Sequence, residues 1–311
     1  MGVEEIDARV ASDALLLAIH EIEAACSQLE PFREASLSLA YYRHWSDGIR
    51  RRFVSREGAQ IAGAAVLMVP SPSFVQAEIF VRPDARRHGH GTELLAAVRA
   101  AAEEAGAASF FAHYDDAAGA AFARAAGAVD DQRDVVSELR LREATLAEPV
   151  VPPGWRLVSW QGAAADALIE SYARARAAID DAPTPAGLVY DAIDVGWVRA
   201  MEGTAAARGR EIHATVAVDA HGEVGAFTDL RTSAPPSPFA STDDTATVPH
   251  ARRLGLATAV KRESLRSLRD KRPDVEVVRT TNAEDNTGMR AVNAALGFVP
   301  VLVQTTSVLT L

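Results

Sequence analysis

Val81-Arg-Pro-Asp-Ala-Arg86-Arg87-His88-Gly89-His90-Gly91-Thr92 and Val248-Pro-His-Ala-Arg252-Arg253-Leu254-Gly255-Leu256-Ala257-Thr258 are two versions of one pattern. Each follows an apolar, strand-like run and precedes an amphipathic helical one. Between them stands Arg-x-x-Gly, with a small residue two places on: Gly91 in the first copy, Ala257 in the second. A turn of this kind leaves the first N–H groups of the helix without intrahelical partners, and the helix dipole adds partial positive charge there. Such a turn suits a phosphate group. Gly89 and Gly255 permit the backbone angles that a tight turn needs. Arg86, Arg87, Arg252 and Arg253 can add charge-assisted hydrogen bonds to an anion.

Working outward from the two turns, the same order of elements repeats. In the first half, Ala14–Leu29 and Glu34–Trp45 read as helices. Arg51–Ser55 and Ile61–Val69 read as strands about Glu57-Gly58, and Phe74–Val81 as the strand entering the turn after Pro70-Ser-Pro72-Ser. Leu94, Leu95, Val98 and Ala102 line one face of the following helix, which stops at Gly106. A strand at Ser109–His113, a helix at Ala117–Ala126 and a closing extended pair within Val129–Leu141 complete this half. The second half runs through a strand at Arg156–Ser159 and helices at Ala163–Ala178 and Tyr190–Ala207. A hairpin about His221-Gly222, a Pro/Ser-rich loop at Ser233–Ser241 and a short strand at Thr245–Val248 lead to its turn. Beyond the helix ended by Pro273 come a strand at Val275–Thr281, a helix at Asn286–Leu296 and two closing strands in Val299–Leu311. This internal repeat predicts two domains, 1–141 and 154–311, joined by a Pro-containing linker at 142–153.

Bulk properties limit what those domains do. With 311 residues, each half can bury a core of its own. A net charge of −10 argues against nucleic acid as a partner, which would require a strong basic patch. Cys26 is the single cysteine, so no intrachain disulfide forms, which suits a reducing compartment. Early acids (Glu4, Glu5, Asp7) and the lack of a long apolar run give the expectation of no signal peptide, no membrane span and a cytoplasmic location. His88 and His90 are spaced like metal ligands, but no Cys/His/carboxylate cluster completes a site, and the expectation is no metal. Gly89-x-Gly91 lacks the third glycine of a dinucleotide turn, and no nucleophile elbow is present.

The doubled Arg-x-x-Gly-x-Gly/Ala turn, in matching strand–turn–helix contexts, resembles the acyl-CoA-binding motif of the GCN5-related N-acetyltransferases (GNAT superfamily). The resemblance covers nearly the whole chain. It implies two tandem α/β (α+β) acyl-CoA N-acyltransferase domains, each a mixed, mostly antiparallel sheet flanked by helices. Acetyl-CoA is then the expected acyl donor. Its pyrophosphate would meet Arg252, Arg253, Leu254, Gly255, Leu256, Ala257 and Thr258, and their counterparts Arg86, Arg87, His88, Gly89, His90, Gly91 and Thr92. By resemblance, Val248 and Val81 offer a backbone N–H to the thioester carbonyl. Asn286 stands at the family's Asn position facing the pantetheine arm, with Asp116 in its place in the first copy. Asn293 stands where many members carry a tyrosine acid, and Ala123 does so in the first copy. The second domain is therefore the expected catalytic one.

Direct attack by an amine on a thioester needs a base for the amine's proton. Asp244, before the fourth strand, and Asp229, at the end of the third, are both candidates, with Glu78 in the first domain. Asp180 and Asp181, ahead of Pro183-Thr-Pro185, border the acceptor site by resemblance and could hold a cationic substrate. The expected reaction is transfer of acetyl to a small primary amine. The alternative is an acyl-CoA-binding or sensing protein whose catalytic groups are lost.

Overall fold

A computed structural model describes residues 2–29, 35–44, 48–71, 74–183, 192–234 and 236–311. Twelve strands and eight helices succeed one another among these residues. The first half contributes β1 (Val3–Ile6), α1 (Asp13–Cys26), α2 (Ala35–Arg43), β2 (Ile49–Glu57), β3 (Gln60–Ser71) and β4 (Phe74–Val81). It continues through α3 (His90–Glu104), β5 (Ser109–Tyr114), α4 (Ala117–Ala126) and β6 (Val129–Arg140). The second half contributes β7 (Arg156–Gln161), α5 (Asp166–Arg176), α6 (Val195–Ala207), β8 (Arg210–Val218), β9 (Val224–Ser233) and β10 (Phe239–Thr247). It ends with α7 (Leu256–Lys271), β11 (Val277–Ala283), α8 (Thr287–Ala295) and β12 (Val299–Thr310). Glu34, Trp45, Pro72, Pro185 and Tyr190, which bound expected helices and turns, lie outside the described residues.

The chain divides into two compact units that are not its two halves. Unit 1 comprises residues 2–133 and 304–311, and unit 2 comprises 134–183 and 192–303. In unit 1 the strands run β1-β2-β3-β4-β5-β12, and in unit 2 β6-β11-β10-β9-β8-β7. Each sheet is antiparallel except at one place, where β4 meets β5 and β10 meets β11 in parallel. The strand that closes each sheet comes from the other half of the sequence. Ser109–Tyr114 of β5 pairs with Thr305–Thr310 of β12. Val277–Ala283 of β11 pairs with Asp134–Arg140 of β6. What the sequence suggests as closing pairs at 129–141 and 299–311 are therefore single twelve-residue strands.

Helices cover both faces of each sheet. In unit 1, α3 packs Leu94, Val98 and Ala102 against Leu67, Ala77 and Phe110, while Leu16 and Ile19 of α1 and Tyr42 of α2 cover Val54 and Ala64 on the other face. In unit 2, Leu265 and Leu268 of α7 meet Leu230, Ala240 and Val278, and Tyr172 of α5 and Val198 of α6 meet Val216 and Phe227. Two corrections have local causes. Residues 239–241, expected as loop, begin β10 because Phe239–Ser241 pairs with Val277–Arg279. The segment 142–153 is strapped to unit 2: Arg266 and Arg269 donate to the carbonyls of Leu146 and Ala144, each at 3.2 Å, and Leu146 enters the core.

Parallel pairing between β10 and β11 stops at Ser241↔Arg279, and between β4 and β5 only Gln76↔Phe111 pair among the described residues. The fourth strand of each copy thus leaves its parallel neighbour before reaching the turn. An opening lined by backbone groups results, and it positions the site.

Candidate active site

Each turn is built the same way. Gly89 (φ +93°) and Gly255 (φ +81°) sit in the left-handed region immediately before α3 and α7, and no side chain caps either helix. The first helical bonds are Glu93 N–H to Gly89 O at 3.1 Å and Ala259 N–H to Gly255 O at 3.0 Å. The N–H groups of His90, Gly91 and Thr92, and of Leu256, Ala257 and Thr258, precede the helical ladder. Arg87 (φ +70°) and Arg253 (φ +62°) are the only non-glycine residues with positive φ among those described. Such backbone strain, repeated at equivalent places, marks a turn whose shape is held by its surroundings. Arg86 Nε donates to Val81 O at 3.3 Å and Arg252 Nε to Thr247 O at 3.1 Å, tying each turn back to its strand.

This superposition corrects one backbone assignment. Val81 lies five residues before Arg86, and the residue five before Arg252 is Thr247, not Val248. The Val248 N–H donates to Gly225 O at 2.9 Å, as the Arg82 N–H does to Ala62 O at 2.9 Å. Neither is free for a ligand. Because N–H groups alternate sides along a strand, those of Thr247 and Val81 point away from the third strand, into the opening.

Several side chains sit otherwise than their sequence positions suggest. His90 is buried, with Nδ1 2.8 Å from Ser55 Oγ, so only its backbone belongs to the turn. His88 is exposed, 3.8 Å from Glu57. Leu254 is exposed at the rim. Asn286 caps α8, its Oδ1 accepting from Met289 N at 3.1 Å, and Asp116 caps α4 from Gly119 N at 2.6 Å. The Asn/Asp difference between copies thus preserves one structural task. Asn293 is turned into the interior, 3% exposed, donating to Asn282 Oδ1 at 2.6 Å. From there it cannot act as an acid at the opening.

The carboxylates of unit 2 separate by environment. Asp229 is fully buried (0% exposed), accepts from Tyr172 OH at 2.7 Å and is ion-paired with Arg176. Arg176, itself buried, reaches Asp244 Oδ2 with Nη2 at 2.5 Å. The rings of Phe227, Trp197 and Tyr172 lie 5.1, 5.4 and 5.5 Å from its guanidinium carbon. Burial opposes the charge of Arg176, yet Asp229, Tyr172 and Asp244 outweigh it and raise its pKa. Asp243 and Asp244 occupy a bulge, where the register shifts between Thr242 and Thr245. A bulge bends the strand and re-aims its side chains. Both reach solvent, Asp243 at 35% and Asp244 at 34% exposed, but Asp243 is held by Arg231 at 2.5 Å while Asp244 is the one that meets the buried Arg176. Burial, with Asp229 and Asp243 nearby, pushes the pKa of Asp244 up to about 6 against the pull of Arg176 and Arg231. It stands three residues before Thr247, as Glu78 stands three before Val81.

Asp180 and Asp181 are exposed on the short helical turn that follows α5. Asp181 is ion-paired with Arg252 of the glycine turn, so the acid expected at the acceptor site touches the turn expected at the donor site. Sequence reasoning missed Arg176, although its signal is visible. Ile169, Tyr172, Ala173 and Arg176 fall at i, i+3, i+4 and i+7, which places an arginine on the core face of α5. Among the described residues no group of three His, Cys, Asp or Glu side chains is placed to hold a metal ion. No described helix is long and apolar enough to cross a membrane.

Comparison with known proteins agrees with this architecture. Residues 16–128, the first copy, match the acetyltransferase (GNAT) family. A tandem GNAT protein from the clavulanic acid biosynthesis pathway superimposes with a TM-score of 0.84 at 25% identity, over 98% of each chain. A GCN5-related N-acetyltransferase from Sphaerobacter thermophilus gives a TM-score of 0.73 at 16% identity, over 98% of this chain and 95% of that one. No curated protein matches the sequence significantly. Residues 16–128 thus match a family of acyltransferases, and the chain as a whole shares the fold of a tandem GNAT protein.

Proposed function

We propose that unit 2 transfers acetyl from acetyl-CoA to a small, cationic primary amine, with Asp244 as the base, in the cytoplasm and without a metal. The observation that carries this reading is Asp244: a carboxylate at the edge of a buried Arg176–Asp229 pair, reaching solvent, with its pKa raised to about 6. A general base works best when its pKa lies near the working pH. Asp229, enclosed by Arg176 and Tyr172, has no open edge and serves to hold Arg176.

The turn fits the donor. The space beyond Gly255 is open for at least 4 Å, its helix N-terminus is uncapped, and Arg252 and Arg253 flank it. The N–H groups of Leu256, Ala257 and Thr258 would hold the pyrophosphate, and acetyl-CoA bound there supplies the acyl thioester. The Thr247 N–H, aimed into the opening, orients the carbonyl oxygen. Asp244 accepts the proton of the attacking amine, and Arg176 keeps that carboxylate in place.

The test is thiol release from acetyl-CoA over a panel of primary amines, beside direct measurement of acetyl-CoA binding. Turnover with at least one amine, abolished in Asp244→Asn while binding persists, is the expected result. A chain that binds acetyl-CoA but releases thiol with no amine is an acyl-CoA-binding protein, and the catalytic reading falls.

A further inference from the structure

Unit 1 contains a second buried arginine, and its partners leave part of it unused. Arg52, on β2 beneath α1 and α2, is 4% exposed, and its Nη1 stands 3.7 Å from Oε1 of the equally buried Glu23. Glu23 also accepts from Tyr42 OH at 2.7 Å. The Tyr42 and Tyr41 rings lie 4.4 and 5.9 Å from the guanidinium carbon. Nε and Nη2 are buried and meet no hydrogen-bond acceptor among the described residues. The N–H bonds of these two nitrogens run parallel along one side of the guanidinium plane. The unused atoms are thus one complete two-pronged edge, the geometry that matches a carboxylate.

Such an arrangement is costly unless something completes it. A buried donor left unpaired destabilises the fold, and more so when it is charged. Burial depresses the pKa of Arg52, and Glu23 at 3.7 Å only partly offsets this. In unit 2 the buried Arg176 meets two carboxylates of its own chain and leaves only Nε unpaired. Arg52 pairs across the sheet with Val66, and Val66 with Glu78, the counterpart of Asp244. Directly opposed residues project to the same face, so Arg52 lies in the row of the fourth-strand carboxylate. Arg52 also contributes to the lining of a cleft of about 600 Å³ with Ile6, Asp7, Gly48 and Arg50, with Nε and Nη2 themselves buried beneath its surface.

We infer that unit 1 binds a small carboxylate-bearing molecule through the Nε/Nη2 edge of Arg52. One edge supplies two donors, which satisfies the two oxygens of a carboxylate but not the three or four of a phosphate. The second charge of a phosphate would also face Glu23 across the same guanidinium. This inference is independent of the role assigned to Asp244 in unit 2.

The test is a titration of the full ¹⁵N-labelled chain, following the Arg52 Nε–H resonance assigned through bonds from its side chain. Sodium acetate is added against sodium chloride at equal ionic strength, with sodium phosphate as a third arm. A saturable shift with acetate, absent with chloride and weaker with phosphate, is expected. Acetate should also raise the melting temperature of the wild type but not that of Arg52→Lys, which keeps the charge and loses the edge. If the variant does not fold, the wild-type titration decides alone. No saturable shift with acetate, the behaviour of an edge filled by water only, overturns the inference. Equal shifts with chloride, or a stronger response to phosphate, do so as well.

Discussion

Asp244 ties stability and activity to one ionisation. The groups facing it are Arg176 from α5, Asp229 and Arg231 from β9, and Asp243 beside it on β10. Its folded pKa of about 6 lies above the usual carboxylate value. The stabilising contribution is therefore fully present below the unfolded pKa and is lost as pH rises through about 6. Activity runs the other way, because the base must be ionised. The rate with a limiting amine should climb with pH to about 6 from this group. Asp244→Asn should lower turnover by roughly 10²–10⁴-fold, the usual worth of a general base. The same variant, resembling the protonated acid, should melt higher than the wild type at pH 8. Unchanged turnover, or a lower melting temperature at that pH, would count against the assignment. Arg176→Met has a different signature. It strands Asp229 in the interior and should cost about 3–5 kcal/mol in a denaturant titration, as breaking a buried pair does. The sequence offers Asp229 and Asp244 on equal terms, because no alternation rule says which side chain a bulged strand turns outward. Arg176 falls on the core stripe of α5, but a core-facing position leads one to expect an apolar residue.

At the scale of elements, the two glycine turns were legible because their constraints are local. A left-handed glycine, an uncapped helix and a flanking arginine are all fixed within a dozen residues. The backbone donor was less so, since Val248 and Val81 differ by one place relative to the motif and one place reverses the direction of an N–H. The pairing of Asp181 with Arg252 could not be read, because those residues are brought together only by the fold. It also changes an expectation for the loop after α5. If the loop lay apart from the turn, neutralising Asp181 would leave acyl-CoA affinity untouched. With Asp181 holding Arg252, the pyrophosphate must compete for that guanidinium. Exposed pairs of this kind contribute about 0–1 kcal/mol, so Asp181→Asn should tighten acetyl-CoA binding by up to about fivefold. Calorimetry at two salt concentrations checks it. The gain should shrink as salt screens the pair, and weaker binding in the variant would contradict the competition.

For the whole molecule, the division at 142–153 is what a doubled sequence suggests, and it assigns Val299–Leu311 to the second domain. Strand pairing assigns much of that segment elsewhere. Six residues of β12 pair with β5, and Leu309, 4% exposed, packs among Leu67, Leu94, Val98 and Phe110 in the core of unit 1. Nothing in the sequence could reveal this. The apolar alternation of β6 and β12 is satisfied equally well by either sheet, and periodicity carries no record of which neighbour a strand chooses. The consequence is measurable. Leu309→Ala removes a buried side chain whose cavity costs about 2–5 kcal/mol, and that loss should fall on unit 1. Hydrogen exchange should show β5 and α3 losing protection, although the substitution lies at the opposite end of the chain from both. The amides of β8 and β9 should keep their wild-type rates. Were Leu309 instead part of a sheet made only of second-half strands, the pattern would invert: β11 would loosen while β5 stayed protected.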